Sequence, residues 1–230
     1  MEWLDNFWAT YSTLVLSVGT NVLLALSIYL TLACGLLTVA NAAFMGIGAY
    51  AATLLTLNTG VPFPCAILGG ALLPALVALA IGRPTLRLSG VYLAMATLAF
   101  GEVVRVVILN VEMLTGGALG LNGIPQLTAW YDVALAVGVT LYVLLRLAHS
   151  RVGRTMTAIS QDELATELMG LNVGAYKLFS FALGAALAGL AGGLNAHFTF
   201  LSVPTNTASS VAWKYSPWAC SAAPEARGAR

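Results

Sequence analysis

The sequence predicts an all-α fold, a polytopic transmembrane helical bundle of about six spans, and three observations carry that prediction. Of the 230 residues, 59% are hydrophobic and 8% charged, and the mean hydropathy is +0.87. That leaves too little polar surface to cover a water-soluble globule. Apolar runs of about twenty residues recur along the chain, each long enough to cross a hydrocarbon layer roughly 30 Å thick as a helix. The runs are continuous and do not alternate over segments of about ten residues, which favours helices over barrel strands.

The elements follow in order. The opening MEWLDNFWATYS carries acids but no basic region, unlike a cleavable signal peptide, and Trp3, Trp8 and Tyr11 read as an interfacial belt. Spans are expected at 13–37, 41–58, 62–82, 90–110, 130–148 and 176–199. The second begins NAAFMGIGAY, where Gly46 and Gly48 weaken a helix, so a re-entrant or broken segment stands as the alternative. Orientation comes from lysine and arginine in short loops. Arg83 and Arg87 lie between the third and fourth spans, and Arg146, Arg151, Arg154 and Lys177 between the fifth and sixth. Both loops are therefore cytoplasmic, and the N-terminus, with Glu2 and Asp5, is outside.

Several function classes fall away on composition. A net charge of +1 implies no nucleic-acid partner and no polybasic lipid patch. Cys34, Cys65 and Cys220 are an odd set that forms no disulfide framework. His149 and His197 have no companion at metal or triad spacing, so both read as incidental, and no metal or cofactor is expected.

One stretch departs from this apolar pattern: RVGRTMTAISQDELATELMGLN, residues 151–172. Ser160, Gln161, Asp162 and Glu163 fit a capping box, which predicts a helix starting at Ser160, and Gly170 is placed to end it in the left-handed conformation. At about 14 Å such a helix cannot cross a membrane. Leu164, Leu168 and Leu171 make one apolar stripe, while Glu163 and Glu167 stand together on another face. Like charges at that spacing cost a few tenths of a kcal/mol, which a basic partner surface would offset. The physics leaves two readings open, docking to a partner and lying on the bilayer as an amphipathic helix.

Three further constellations stand out. Glu102 and Arg105 in FGEVVRVV share a helical face inside an apolar run, where ionisable groups are costly; they fit either a structural pair or a substrate contact. Glu112 reads as interfacial. TGGALGLNGIP contains Gly116 and Gly117 in an outward loop but lacks the lysine and hydroxyl residue of a Walker sequence, so it reads as an irregular turn ended by Pro125. GAALAGLAGG sets Gly189 with Gly193, and Gly184 with Ala188, at the four-residue spacing of close helix packing.

Three blocks, NAAFMGIGAYAA, RPTLRLSGVYLAMATLAFGEVVRVVILN with LTGGALGLNGIP, and RVGRTMTAISQDELATELMGLNVGAYKLFSFALGAALAGLAGGLNAH, together resemble the permease subunits of branched-chain amino acid ABC transporters. The resemblance implies a transport subunit without ATPase activity of its own, in a prokaryotic plasma (inner) membrane. It implies as partners a second homologous permease, two cytoplasmic ATP-binding subunits and an extracytoplasmic solute-binding protein. It tips the docking question towards an ATPase-coupling segment running from Ser160 to Gly170, with Ser160, Asp162, Glu163, Leu164, Glu167, Leu168 and Gly170 as its residues. Asn41, Glu102, Arg105, Gly116 and Gly117 are the candidates for the translocation path.

The chain departs from the family in two places. Ala40 and Asn41 stand where glycine followed by glutamine or histidine is expected. The expected organisation is a permease domain over residues 1–200, with its coupling loop at 149–175, followed by a non-family, disordered tail over 201–230. Permitted codons for Trp213 to Arg230 read two bases later encode a glycine-rich apolar run, so the C-terminus is expected to be truncated or frameshifted. The later helices lost in that way would have packed on Gly189 and Gly193. The alternative function is a stand-alone secondary transporter or channel for a small polar solute, which would have no need of a docking helix.

Overall fold

The computed structural model describes residues 2–59, 62–88, 90–111, 128 and 130–199. These form eight helices: α1 (Glu2–Leu32), α2 (Asn41–Thr59), α3 (Phe63–Thr85), α4 (Val91–Asn110), α5 (Trp130–His149), α6 (Arg151–Gln161), α7 (Glu163–Leu168) and α8 (Val173–Thr199). Five are long and apolar enough to cross a membrane: Leu14–Leu32 within α1, then α3, α4, α5, and Val173–Phe198 within α8. α2, enclosed by its neighbours, is not among them, so five candidate spans stand against the about six expected.

The bundle is built around α8, which packs on α1, α2 and α3. Small residues let the backbones meet. A Cβ at Gly48 would strike the backbone of Gly189; one at Gly189 would strike the Gly70 carbonyl and lie 2.6 Å from Pro74 Cγ; one at Gly192 would strike the Met45 carbonyl. Contacts this close are the van der Waals basis of helix association in lipid, where burial from water supplies no drive. Gly46 and Gly48 therefore do not break α2, which runs unbroken through both. Gly189 and Gly193 are covered by α2 and α3 of this same chain, not left open for later helices.

Polar side chains fasten the same seam. Ser27 donates to the Gly184 carbonyl (2.7 Å), Ser180 to the Leu30 carbonyl (2.8 Å), and Asn41 Nδ2 to Ser27 Oγ (2.8 Å). His197 is fully buried near the end of α8, with Nε2 2.9 Å from Thr56 Oγ1, Nδ1 2.8 Å from the Gly193 carbonyl, and its ring edge-on to Phe63. Far from incidental, it joins α8 to both α2 and α3.

α1 ends at Leu32, five residues earlier than its hydropathy suggests. Gly35 adopts φ +74°, its N–H reaches the Leu32 carbonyl (2.8 Å), and the Leu36 N–H reaches the Thr31 carbonyl (3.1 Å). This is the glycine-centred closure that stops helices. Residues 36–39 are not helical and lead back into the bundle, where α2 starts beside Ser27. Ser27 lies five positions before the end of α1, so α2 begins about 7 Å above that end. α4 leans on α2 through Phe100 against Phe44 and buries Leu93 and Thr97, and α5 packs along α1 through Val133.

Candidate functional site

The end of the bundle bearing Arg83, Arg87 and Lys177 also bears α6 and α7. Ser150 caps α6, its hydroxyl accepting the Gly153 N–H at 3.3 Å. Gly153, Met156 and Ile159 recur on one side of α6 and are buried. Met156 and Ile159 join the same apolar cluster as Leu30, Cys34, Leu36, Leu144 and Phe181. α6 is thus part of the bundle core, although much of its sequence is polar.

The expected start at Ser160 is corrected by the structure. α6 runs through Ser160, whose hydroxyl donates to the Thr157 carbonyl within its own helix (2.8 Å). The break falls at Asp162, whose Oδ1 accepts the Ala165 N–H at 3.1 Å and so caps α7. A carboxylate suits a helix N-terminus at least as well as a hydroxyl, and Ser160 already has a partner one turn back. Gly170 does close the element as expected, at φ +81° with its N–H on the Glu167 carbonyl (2.9 Å).

α7 is exposed on nearly every side. Thr166 is its buried residue, whereas Leu164 is 72% exposed, Leu168 89% and Met169, just beyond, 79%. Leu171, expected as the third residue of the stripe, lies past the helix end and is partly buried. The Glu163 carboxylate does not cap backbone and does not wait for a basic partner surface: it pairs with Lys177 Nζ of α8 at 2.6 Å. Glu167 remains exposed. What α7 presents is therefore a short apolar tip of Leu164, Leu168 and Met169 with an acidic margin.

The candidates for the path are not brought together in one place. Asn41 is buried at the start of α2 with its amide held by Ser27. Close by, the Val39 N–H donates to Thr97 Oγ1 of α4 at 3.2 Å. Glu102 and Arg105 follow on α4 as a loose pair at 3.6 Å, longer than the roughly 2.7–2.9 Å of a charge-assisted hydrogen bond. Arg105 Nε is buried without a hydrogen-bond partner among the described residues, and the Glu102 side chain is 60% exposed. Gly116, Gly117 and Glu112 lie outside the described residues, as does 201–230.

Sequence reasoning missed Lys177 as the partner of Glu163, Met169 as part of the tip, and Gly35 as a helix stop. Gly35 had a usable signal, a glycine followed by an apolar residue after a long apolar run. Lys177 had none, because its contact with Glu163 depends on how α7 folds back on α8.

Five helices long and apolar enough to cross a membrane, with a short helical excursion carrying an exposed apolar tip at one end of the bundle, define a multi-pass membrane protein. The chain belongs to the family described as branched-chain amino acid transport system / permease component, whose model matches residues 10–222. It is 34% identical over 215 residues to the high-affinity branched-chain amino acid transport system permease protein LivM of Escherichia coli (strain K12), covering 79% of this chain and 49% of that protein. The protein of the same name from Salmonella typhimurium is 35% identical over 216 residues, with the same shares covered. The chain spans about half the length of these curated relatives. No solved structure gives a significant match.

Proposed function

We propose that this chain is the membrane-spanning permease subunit of an ABC importer for branched-chain or related amino acids, in a prokaryotic plasma membrane. It works with a second homologous permease, two cytoplasmic ATP-binding subunits and an extracytoplasmic solute-binding protein. Family membership supports the substrate class, and the names of the two relatives agree with it.

The observation that carries the coupling role is the exposed tip of α7. Burying a leucine side chain contributes about 1.5–3 kcal/mol, so two that are 72% and 89% exposed are a sizeable unspent contribution to association. The bilayer is a poor alternative host for this tip. Helices that lie on membranes are rich in Lys and Arg on the polar side, whereas α7 is flanked by Asp162, Glu163 and Glu167. The apolar face of α6 is already used in the bundle core and is not open to lipid.

In this reading the ATP-binding subunits close on ATP, carry α7 with them, and switch the bundle between inward- and outward-facing arrangements. Glu102 and Arg105 then belong on the path, since an ionisable pair left half open at mid-helix faces water or protein in preference to lipid. The test is reconstitution of the chain with its partner subunits in vesicles, followed by uptake of labelled leucine. Uptake that requires ATP and the binding protein is expected. An assembled complex that hydrolyses ATP and accumulates no branched-chain or related amino acid would overturn the assignment.

A further inference from the structure

At the cytoplasmic end, α7, the start of α8 and the turn after α1 are locked together. Glu163, the first residue of α7, holds Lys177 of α8 at 2.6 Å, and the Lys177 side chain is only 12% exposed. An ion pair half withdrawn from water is screened less by salt than a surface pair and holds its geometry better. Two residues before the cap of α7, the backbone of α6 bears on the turn after α1: a Cβ at Gly35 would lie 3.2 Å from Ser160 Cα. Cys34, next to that contact, is fully buried.

Gly35 is also where the chain turns back into the bundle. From there Leu36 is buried, the Val39 N–H is held by Thr97 of α4, and Asn41 is held by Ser27 of α1, which in turn holds the Gly184 carbonyl of α8. Residues 35–41 thus have one end against α6 and the other where α1, α2, α4 and α8 meet. Six residue steps cannot reach further than about 21 Å, and none of residues 36–39 is helical, so the segment has no helical turns to absorb displacement.

We propose that Lys177 is a positioning residue for transport: its bond to Glu163 ties α7 to α8, so that α6, α7 and the start of α8 move as one body, and the Gly35–Ser160 contact passes that movement through residues 36–40 to the start of α2. This inference rests on the docking role proposed above. Without the tie, α7 joins the bundle through the non-helical Asp162 and the buried Thr166, and a force on Leu164 and Leu168 would swing the short helix about Asp162. With the tie, the same force reaches α8 directly and reaches α1 through Ser160 and Gly35.

The test uses the reconstituted complex and compares wild type, Lys177→Ala, Lys177→Arg, and the charge swap Glu163→Lys with Lys177→Glu. Lys177→Ala is expected to keep co-purification of the ATP-binding subunits and to lower substrate taken up per ATP hydrolysed at least tenfold. Lys177→Arg and the charge swap are expected to recover half or more of the wild-type ratio. A second measurement places a cysteine at Val39, which is 53% exposed, with Cys65 and Cys220 changed to serine and buried Cys34 retained. Its rate of reaction with a small water-soluble thiol reagent should change at least fivefold on nucleotide trapping in the wild-type background, and not in Lys177→Ala.

An uptake ratio for Lys177→Ala within twofold of wild type, a charge swap as impaired as the single change, or an equal nucleotide response of Val39→Cys with and without Lys177 would each overturn the proposal. The wild-type complex separates the two levels of argument. If it shows ATP-driven uptake, a negative result sinks the positioning role alone; if it shows none, the transport assignment itself falls.

Discussion

The seam around α8 and the tip of α7 treat contact in opposite ways. At the seam, Gly48, Gly70, Gly189 and Gly192 bring backbones so close that no side chain fits, and buried Ser27, Asn41 and His197 have found partners. On α7, Leu164 and Leu168 project outward with little around them, and the helix is held by a cap, an ion pair and the buried Thr166. The seam spends every contact on the bundle itself, so its changes should register as stability. The tip spends almost none there, so its changes should register as association. On the function proposed above, folding and coupling fall to separate residues.

The largest effect is expected at the seam. Gly189→Val would drive a branched side chain into the Gly70 carbonyl and Pro74, and because much of what it meets is backbone, the cost belongs at or above the upper end of the 1–3 kcal/mol typical of overpacking. A steep loss of monodisperse protein in detergent, or a large fall in thermal midpoint, checks it. A tolerated valine would erase the contrast with α7. A step below comes His197→Ala, which leaves the buried Gly193 carbonyl and Thr56 hydroxyl without this partner and should cost about 1–3 kcal/mol in a detergent denaturation series.

Smaller still is the stability effect of Leu164→Asp with Leu168→Asp, expected to stay within about 0.5 kcal/mol per site because both side chains are exposed in the isolated subunit. The same pair should reduce recovery of the ATP-binding subunits at least tenfold. A fall in stability like that of a core substitution would show that the tip is packed and that the comparison is wrong. The smallest signal is chemical. Burial pushes the Cys34 thiol up to about 11, with Lys177 opposing and Glu163 reinforcing the shift. At pH 8 roughly a thousandth is then thiolate, so Cys34 should resist maleimide in the folded subunit and react once it is denatured. Reactivity should rise with pH up to the raised value; fast labelling at pH 7 would mean the end of α1 opens.

Much of this was legible in the sequence, for identifiable reasons. The spans at 62–82, 90–110, 130–148 and 176–199 agree with α3, α4, α5 and α8 to within three residues at each end, because composition changes abruptly at Pro, Gly or charged neighbours. The end of α1 was overrun because residues 33–37 stay apolar whether the chain continues as helix or turns back buried; hydropathy reports burial, not dihedral angle. Ser160 drew the cap prediction because its spacing to Glu163 is right, yet the energetic choice turned on α6, whose buried Met156 and Ile159 hold the helix together past Ser160. The like charges of Glu163 and Glu167 suggested a foreign basic surface, whereas Lys177 supplies the charge from within, fourteen positions further on. Gly48, read as helix-weakening in α2, is a place where α8 lies against it, a tertiary use that local propensity does not contain.

The central claim is that α7 is the surface this subunit offers to its ATP-binding partner, and cross-linking tests it most directly. A cysteine at Leu168 is compared with one at Leu72, which is 63% exposed on the outer side of α3, in the co-expressed complex with a short bifunctional thiol reagent. The account predicts a product containing permease and ATP-binding subunit from position 168, and none from position 72. An assembled, ATP-hydrolysing complex in which position 168 gives no such product and stays freely labelled from the cytoplasmic side would contradict it.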